Sequence, residues 1–523
     1  MKRKKIILNA LILTLTTMSL GFIGMVFRVY LSNNIGAEGM GLFQIIMSIN
    51  SMTCTLAISG VRVTITRLVA EELGKGNTHK IRGIMKKGLI YCLFFSIISA
   101  LILFRSAEYI SVAWIKDTRA IIPLKILSCS LPFVSISACF SGYFYGTRKV
   151  VRSVIADILE SVTMMMIIVY ALGFFLPKGL EYTCSLVTVG MSVGVIVSAF
   201  FCYVMYIFEK KHCTNSLNTN NYNFKLTKFA SIAFPIACSA YIQTSLKTVE
   251  DILIPNALRR FGSSSSSSLS IFGMVKGMVL PILVFPSIFL ASFSTLIIPE
   301  IAEANALNKN KLVNYIISKV LKFTLLIAIF ATGIFMIFSK ELGIAIYKSE
   351  QVGLMMRILA PLIPLMYLDR VVDGSLNALN KQMSTLKFNL IDMVTRILMI
   401  LFLIPKFGVK GFIIVIFAST IINSSLSINK LLKVTRLDFE IIDWVINPIL
   451  CVTISSFAVK HAFLFLGLNT LLVPMILTVC ICYFVLLMVF RCIKKRDIMW
   501  FVDGFKQDVK IVDFNDINIY KQF

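Results

Sequence analysis

Six basic side chains, Arg28, Lys247, Lys276, Arg357, Arg370 and Arg396, fall inside runs of about twenty apolar residues. A charge at the centre of a membrane helix costs roughly 2.5–3.5 kcal/mol, so six unpaired cations in hydrocarbon would cost about 15–20 kcal/mol. That exceeds the net stability of a typical fold, about 5–15 kcal/mol. Each cation must therefore meet a counter-charge or water. A buried cation that meets water is a place to hold an anion.

The six divide by spacing. Arg28, Lys247 and Lys276 lie towards those ends of their runs that face away from the N-terminal side, and Arg28 has no acid within one helical turn. A cationic cluster in a low-dielectric cavity suits a phosphorylated or acidic headgroup. The plainer alternatives are that Lys247 pairs with Glu250 or Asp251, and that Arg28 reaches out to the interface. The second group sits at the other ends. Arg396 follows Asp392 by four residues, while Asp373 follows Arg370 by three and Asp369 by four, spacings that predict intrahelical pairs. With Asp157 and Glu160 they form either an ion-pair network that ties helices together or a gate that opens when the pairs break.

The elements that position these residues follow from hydropathy. Apolar runs near 6–30, 40–61, 88–104, 120–144, 154–176, 183–208, 229–250, 270–297, 313–339, 353–379, 384–405, 411–432, 441–466 and 471–492 each suit a bilayer of roughly 30 Å. They predict an all-α polytopic membrane protein with 14 transmembrane helices, numbered below as spans 1 to 14. The composition agrees, with 57% hydrophobic and only 15% charged residues. Of the 52 Lys and Arg, 34 fall on the N-terminal side of the spans, 12 on the opposite side and six within them. This bias predicts a multi-pass cell-membrane protein with both termini cytoplasmic. The first apolar run is too long for a secretory signal and has no small-residue cleavage site after it, so it reads as a span.

An internal repeat sets the larger plan. Residues 141–179 and 373–411 align without a gap at an offset of 232, with Glu160 facing Asp392, and Ala70-Glu71 faces Ala302-Glu303 at the same offset. The expectation is two six-helix lobes in a parallel repeat plus a C-terminal hairpin. The boundaries are an N-lobe at 1–209, a cytoplasmic linker at 210–228, a C-lobe at 229–436, spans 13–14 at 437–493 and a cytoplasmic tail at 494–523.

Other chemistries find no residues. Twelve cysteines are scattered and three histidines lie far apart, so no metal or redox centre is expected. No nucleotide-binding glycine loop or catalytic triad occurs, so neither a cofactor nor an enzymatic activity is expected. The net charge of +26 lies in short loops beside spans, which points to anionic membrane lipids and not to nucleic acid.

Several segments carry a family likeness. Leu20-Gly21-Phe22, Arg28 and Ile35-Gly36-Ala37-Glu38-Gly39-Met40-Gly41-Leu42-Phe43 resemble the first-span signature of the stage V sporulation protein B family. Ser59-Gly60-Val61, Thr66-Arg67-Leu68-Val69-Ala70-Glu71, Ser141-Gly142-Tyr143-Phe144-Tyr145-Gly146 and Asp251-Ile252-Leu253-Ile254-Pro255 are similar to it as well. That family sits with polysaccharide exporters and lipid II flippases in the multidrug/oligosaccharidyl-lipid/polysaccharide superfamily. The resemblance implies a flippase that moves undecaprenyl-pyrophosphate-linked oligosaccharide, a lipid II-like peptidoglycan precursor of spore cortex or envelope, by alternating access. It implies a lipid-linked oligosaccharide as partner, together with envelope or sporulation proteins. It makes Arg28 a substrate-binding cation by position, with Lys276 as a stand-in on span 8. It also implies a groove for the lipid tail at spans 13–14. The rival reading is an ion-coupled multidrug exporter, with Asp157, Glu160 or Asp392 facing cationic drugs.

Overall fold

The computed structural model describes residues 2–212, 226–435, 440–467 and 471–493. Most of the expected linker and the whole expected tail at 494–523 therefore lie outside the described residues. Every regular element among the described residues is a helix, with no strand. Hydrocarbon offers the backbone no hydrogen bonds, so helices must satisfy their own. The chain is an all-α polytopic membrane protein.

Length and apolarity mark twelve spanning stretches among the described residues, against the fourteen read from the sequence. The difference lies in two double-length helices. Thr14–Gly74 runs for 61 residues, with a turn at Ser59-Gly60 near its end, and Gln382–Thr435 for 54. At 1.5 Å per residue these are about 90 and 80 Å long, far more than one bilayer. Each is interrupted at a glycine, Gly36 (φ 70, ψ −178) and Gly408 (φ 56, ψ −128). A left-handed φ is strained for any residue with a Cβ, so these are where the chain departs from the helix. The sequence reading cuts both stretches there, into spans 1 and 2 and into spans 11 and 12.

The repeat is visible in how spans 2 and 8 cross. A Cβ on Gly41 would lie 2.1 Å from the Leu269 carbonyl oxygen, and one on Gly273 would lie 2.0 Å from the Ala37 carbonyl oxygen. The positions answer each other at the offset of 232: Ala37 with Leu269, Gly41 with Gly273. Only bare backbone allows so close a crossing, as in small-residue contacts between membrane helices generally.

Two further seams hold the halves together. On the N-terminal side, span 7 begins beneath spans 2 and 3. There the Tyr241 hydroxyl donates to Ser59 Oγ at 2.7 Å, and the Phe229 ring lies 5.3 Å from that of Tyr91. On the opposite side, Asn33 donates to the Ile346 carbonyl (2.8 Å), Asn256 to that of Trp114 (2.7 Å) and Arg259 to that of Ile115 (2.8 Å). Spans 13 and 14 pack on span 9 and the short helix Ser339–Tyr347 after it: the Tyr483 hydroxyl donates to the Leu326 carbonyl at 2.9 Å and Lys460 meets Glu341 at 2.8 Å.

Candidate functional site

Five of the charged residues within the helices gather into one dense cluster, while two of the expected cations stand apart from it. The cluster is built from five elements. Span 7 carries Glu250 and Asp251, both buried. Lys276 reaches them from a π-helical turn, Gly273–Val279, that widens span 8; such turns recur at functional positions because they re-aim side chains. Its ammonium lies 2.8 Å from Glu250 Oε1 and 3.4 Å from Asp251 Oδ1. From span 11, Arg396 reaches both Glu250 oxygens at 3.3 Å and also pairs with Asp392. From span 12, Ser419 accepts from Arg396 Nε (2.8 Å) and donates to Asp392 (2.6 Å). Span 2 closes the set, as Ser48 Oγ donates to Asp251 at 2.8 Å. Three carboxylates face two cations.

This arrangement corrects the expectation for Lys276. It is not a free cation but the counter-charge of Glu250 and Asp251. Those acids were expected to take Lys247 if anything. They turn instead towards span 8, whereas Lys247 is exposed and makes no ion pair among the described residues. Lys247 lines a cavity of about 60 Å³ between spans 2 and 7, with Gln44, Ser48, Ser51, Thr244 and Asp251. That volume is about two waters' worth.

Arg28 stands alone. It is partly buried on span 1 and makes no ion pair among the described residues. Its side chain lies near enough to Tyr347 for the two to interact electrostatically. The Tyr347 hydroxyl in turn donates to the Met278 carbonyl of span 8 at 3.0 Å. Arg28 thus faces the other half of the molecule. The three expected cations do not form one positive cluster: two are unneutralised and the third is held in the acidic one.

The second expected group also divides. Arg396 and Asp392 pair as their spacing predicts. Arg370 and Asp373 do not, because Arg370 is exposed while Asp369 and Asp373 turn inwards. Asn423 donates to Asp369 at 2.9 Å, and Asn389 and Ser427 lie beside Asp373. In the N-terminal half, Glu160 lies beside Ser198 and Asp157, and neither acid has an ion pair among the described residues. Of the residues expected to form that network, Asp392 and Arg396 alone are ion-paired among the described residues.

Among the buried charges, Asp117, Lys322 and Glu209 escaped the sequence reading. Lys322, within span 9, is only 8% exposed. Glu209, at the end of span 6, is buried against Arg152, Lys149 (2.9 Å) and the Tyr143 hydroxyl (2.9 Å). The i,i+3 spacing of Lys149 and Arg152 was the available signal for a shared partner.

Comparison with known proteins places this arrangement. The family model described as polysaccharide biosynthesis protein matches residues 6–256. Stage V sporulation protein B of Bacillus subtilis (strain 168) is 25% identical over 509 residues, covering 95% of this chain and 98% of that protein. Another similar protein is lipid II flippase MurJ of the same organism, 21% identical over 349 residues, covering 62% of this chain and 63% of the relative. Among solved structures, lipid II flippase MurJ in an inward closed conformation superposes with a TM-score of 0.67 at 16% identity, covering 93% of this chain and 100% of that one. An inward-facing multidrug resistance MATE family transporter of the MOP superfamily gives 0.61 at 11%, covering 82% and 100%. At these identities the structures show a shared fold. The chain therefore carries its clustered charges on the fold it shares with these two solved structures.

Proposed function

We propose that this protein is a flippase, not an enzyme, that carries a lipid-linked oligosaccharide across the cytoplasmic membrane by alternating access of two six-helix lobes. The proposed substrate is an undecaprenyl-pyrophosphate-linked, lipid II-like precursor, used for spore cortex or envelope. Arg28 carries the reading. A cation left without a counter-charge at membrane depth costs about 2.5–3.5 kcal/mol and persists where it serves a ligand. Lys247, at the small cavity between spans 2 and 7, is its second contact.

Lys276 supports the site from behind, fixing Glu250 and Asp251 where they would otherwise repel an anion. The pyrophosphate needs more room than about two waters occupy, so entry requires the lobes to part. Release on the far side requires breaking the bonds of Asn33, Asn256 and Arg259 across the seam, at about 0.5–1.5 kcal/mol each. With both termini cytoplasmic, moving a net charge of about −2 outwards is downhill by roughly 4–5 kcal/mol per 100 mV. The membrane potential suffices as drive. The polyprenyl tail stays in lipid along spans 13 and 14.

The test is a labelled-precursor accessibility assay in cells that depend on this protein. Arg28→Ala is expected to lower export at least tenfold, the share of one charge-assisted contact. Export at the wild-type rate would refute the site. The unpaired Asp157 and Glu160 favour one second reading, an ion-coupled exporter of cationic drugs. Resistance to cationic dyes that disappears in Asp157→Asn, with precursor export unaffected by Arg28→Ala, would establish it instead.

A further inference from the structure

Span 2 contains a joint that no transport step above uses. Ser59 has φ 46 and Gly60 φ 72, so two consecutive residues stand in the left-handed region between helices that end at Ile58 and restart at Val61. Glycine adopts this conformation freely, but serine, whose Cβ crowds the backbone there, is strained. The helix that restarts at Val61 has no side-chain cap to offset the break. Nor does the duplication require it. At the offset of 232 the two positions fall at 291 and 292, inside the unbroken helix Ser287–Ala306 of span 8.

Backbone strain of this kind persists only where the surroundings impose it. Here they belong to the other lobe. Span 7 lays bare backbone against the joint: a Cβ on Gly60 would lie 2.6 Å from the Ala233 carbonyl oxygen and 3.4 Å from the Ala237 nitrogen. Ser59 is fully buried within a chain of hydroxyls. Tyr241 of span 7 donates to Ser59 Oγ at 2.7 Å, which leaves Ser59 its own proton for the Tyr91 hydroxyl of span 3, 3.1 Å away. A buried hydroxyl that loses its partners is costly, so Ser59 is held in this conformation while span 7 is docked.

We propose that Ser59-Gly60 is a two-state joint that latches the seam on the N-terminal side: left-handed while span 7 is docked, helical once span 7 withdraws. Undocking removes the Tyr241 bond and the Ala233 contact together. The strain at Ser59 then favours the ordinary helical backbone, and spans 2 and 7 lose the surfaces that fitted each other. Redocking needs both at once. The joint therefore turns a gradual parting of the lobes into a choice between two states, closed with the break and open without it. This inference rests on the alternating-access reading of the two lobes, and not on what they carry.

The test uses Ala237→Cys in the full-length protein as a buried reporter beside Gly60. A membrane-impermeant maleimide is applied to vesicles of either orientation, and modification at that residue is read by peptide mass spectrometry. Tyr241→Phe keeps the ring and removes the bond. It is expected to raise labelling from the side of the N-terminus about two- to tenfold, the equivalent of one hydrogen bond. Gly60→Ala, which can keep neither the left-handed backbone nor the contact with Ala233, should raise it by about tenfold or more. Tyr91→Phe cuts no bond between the lobes and should change it less than Tyr241→Phe. The tyrosine variant keeps the test decisive if Gly60→Ala fails to fold. Labelling from that side left unchanged by Tyr241→Phe would overturn the joint. So would an equal rise from both sides of the membrane, which a merely loosened fold would give. Neither outcome depends on export: Arg28→Ala decides the flippase reading, whereas this labelling is read with no cargo present.

Discussion

Glu160 and Asp392 occupy equivalent places in the internal repeat, 232 residues apart, in opposite electrostatic surroundings. Asp392 is gripped by Arg396 and Ser419, and behind Arg396 stand Glu250 and Lys276. Glu160 has Ser198 and another acid, Asp157, for neighbours. The repeat offset places Met164 where the C-terminal half has Arg396, and Gln44 where it has Lys276. Glu250 and Asp251 likewise face Met18 and Ser19 at this offset, so the neutralised cluster has no counterpart in the N-terminal half. The lesson is that the duplication conserved the place for a buried acid while leaving its counter-charge free to diverge. Asp392 is held by a cation, whereas Glu160 has no ion pair among the described residues.

The most damaging way to break the comparison is to give the C-terminal half the N-terminal residue. Arg396→Met leaves Asp392 and part of Glu250 buried without a partner, and stability in detergent should fall by about 3–5 kcal/mol in thermal or denaturant unfolding. Lys276→Gln, copying Gln44, should cost less, about 1.5–3 kcal/mol by the same measurement, because Arg396 still holds Glu250. The converse exchange sharpens the contrast. Met164→Arg places a guanidinium four residues after Glu160 and should stabilise by about 0.3–0.5 kcal/mol. A fall in stability instead would mean that the N-terminal acids already have a counter-charge. Glu160→Gln should have the smallest effect, within about 0.5 kcal/mol of wild type, since no pair is lost.

What could be read beforehand tracks the distance over which each interaction acts. Apolar runs gave the helices, because bilayer thickness is a one-dimensional constraint on length. The Arg396–Asp392 pair was legible because four residues on a helix always bring two side chains together. The pairing of Lys276 with Glu250 was not, since it joins two helices and passes through a π-helical turn that shifts the register of span 8. Nor was the outward turn of Arg370. A membrane helix can turn a face to lipid, to protein or to a cavity, so its rotation is set by packing against its neighbours and not by its own residues alone. The separation of Arg28 from Lys276 escaped for the same reason. The repeat, by contrast, was strong enough that two glycines at its offset meet in space.

That meeting has a mechanical consequence. Where Gly41 and Gly273 touch through bare backbone, there are no side chains to interdigitate and none to repack. Two rods in such contact cannot slide without collision, yet they can rotate about the point they share at little cost. Spans 2 and 8 would then act as crossed levers on a fulcrum, where a small angular change at the crossing becomes a wide displacement at the distant tips. The resistance to motion resides in the polar bonds at the ends, far from the axle itself.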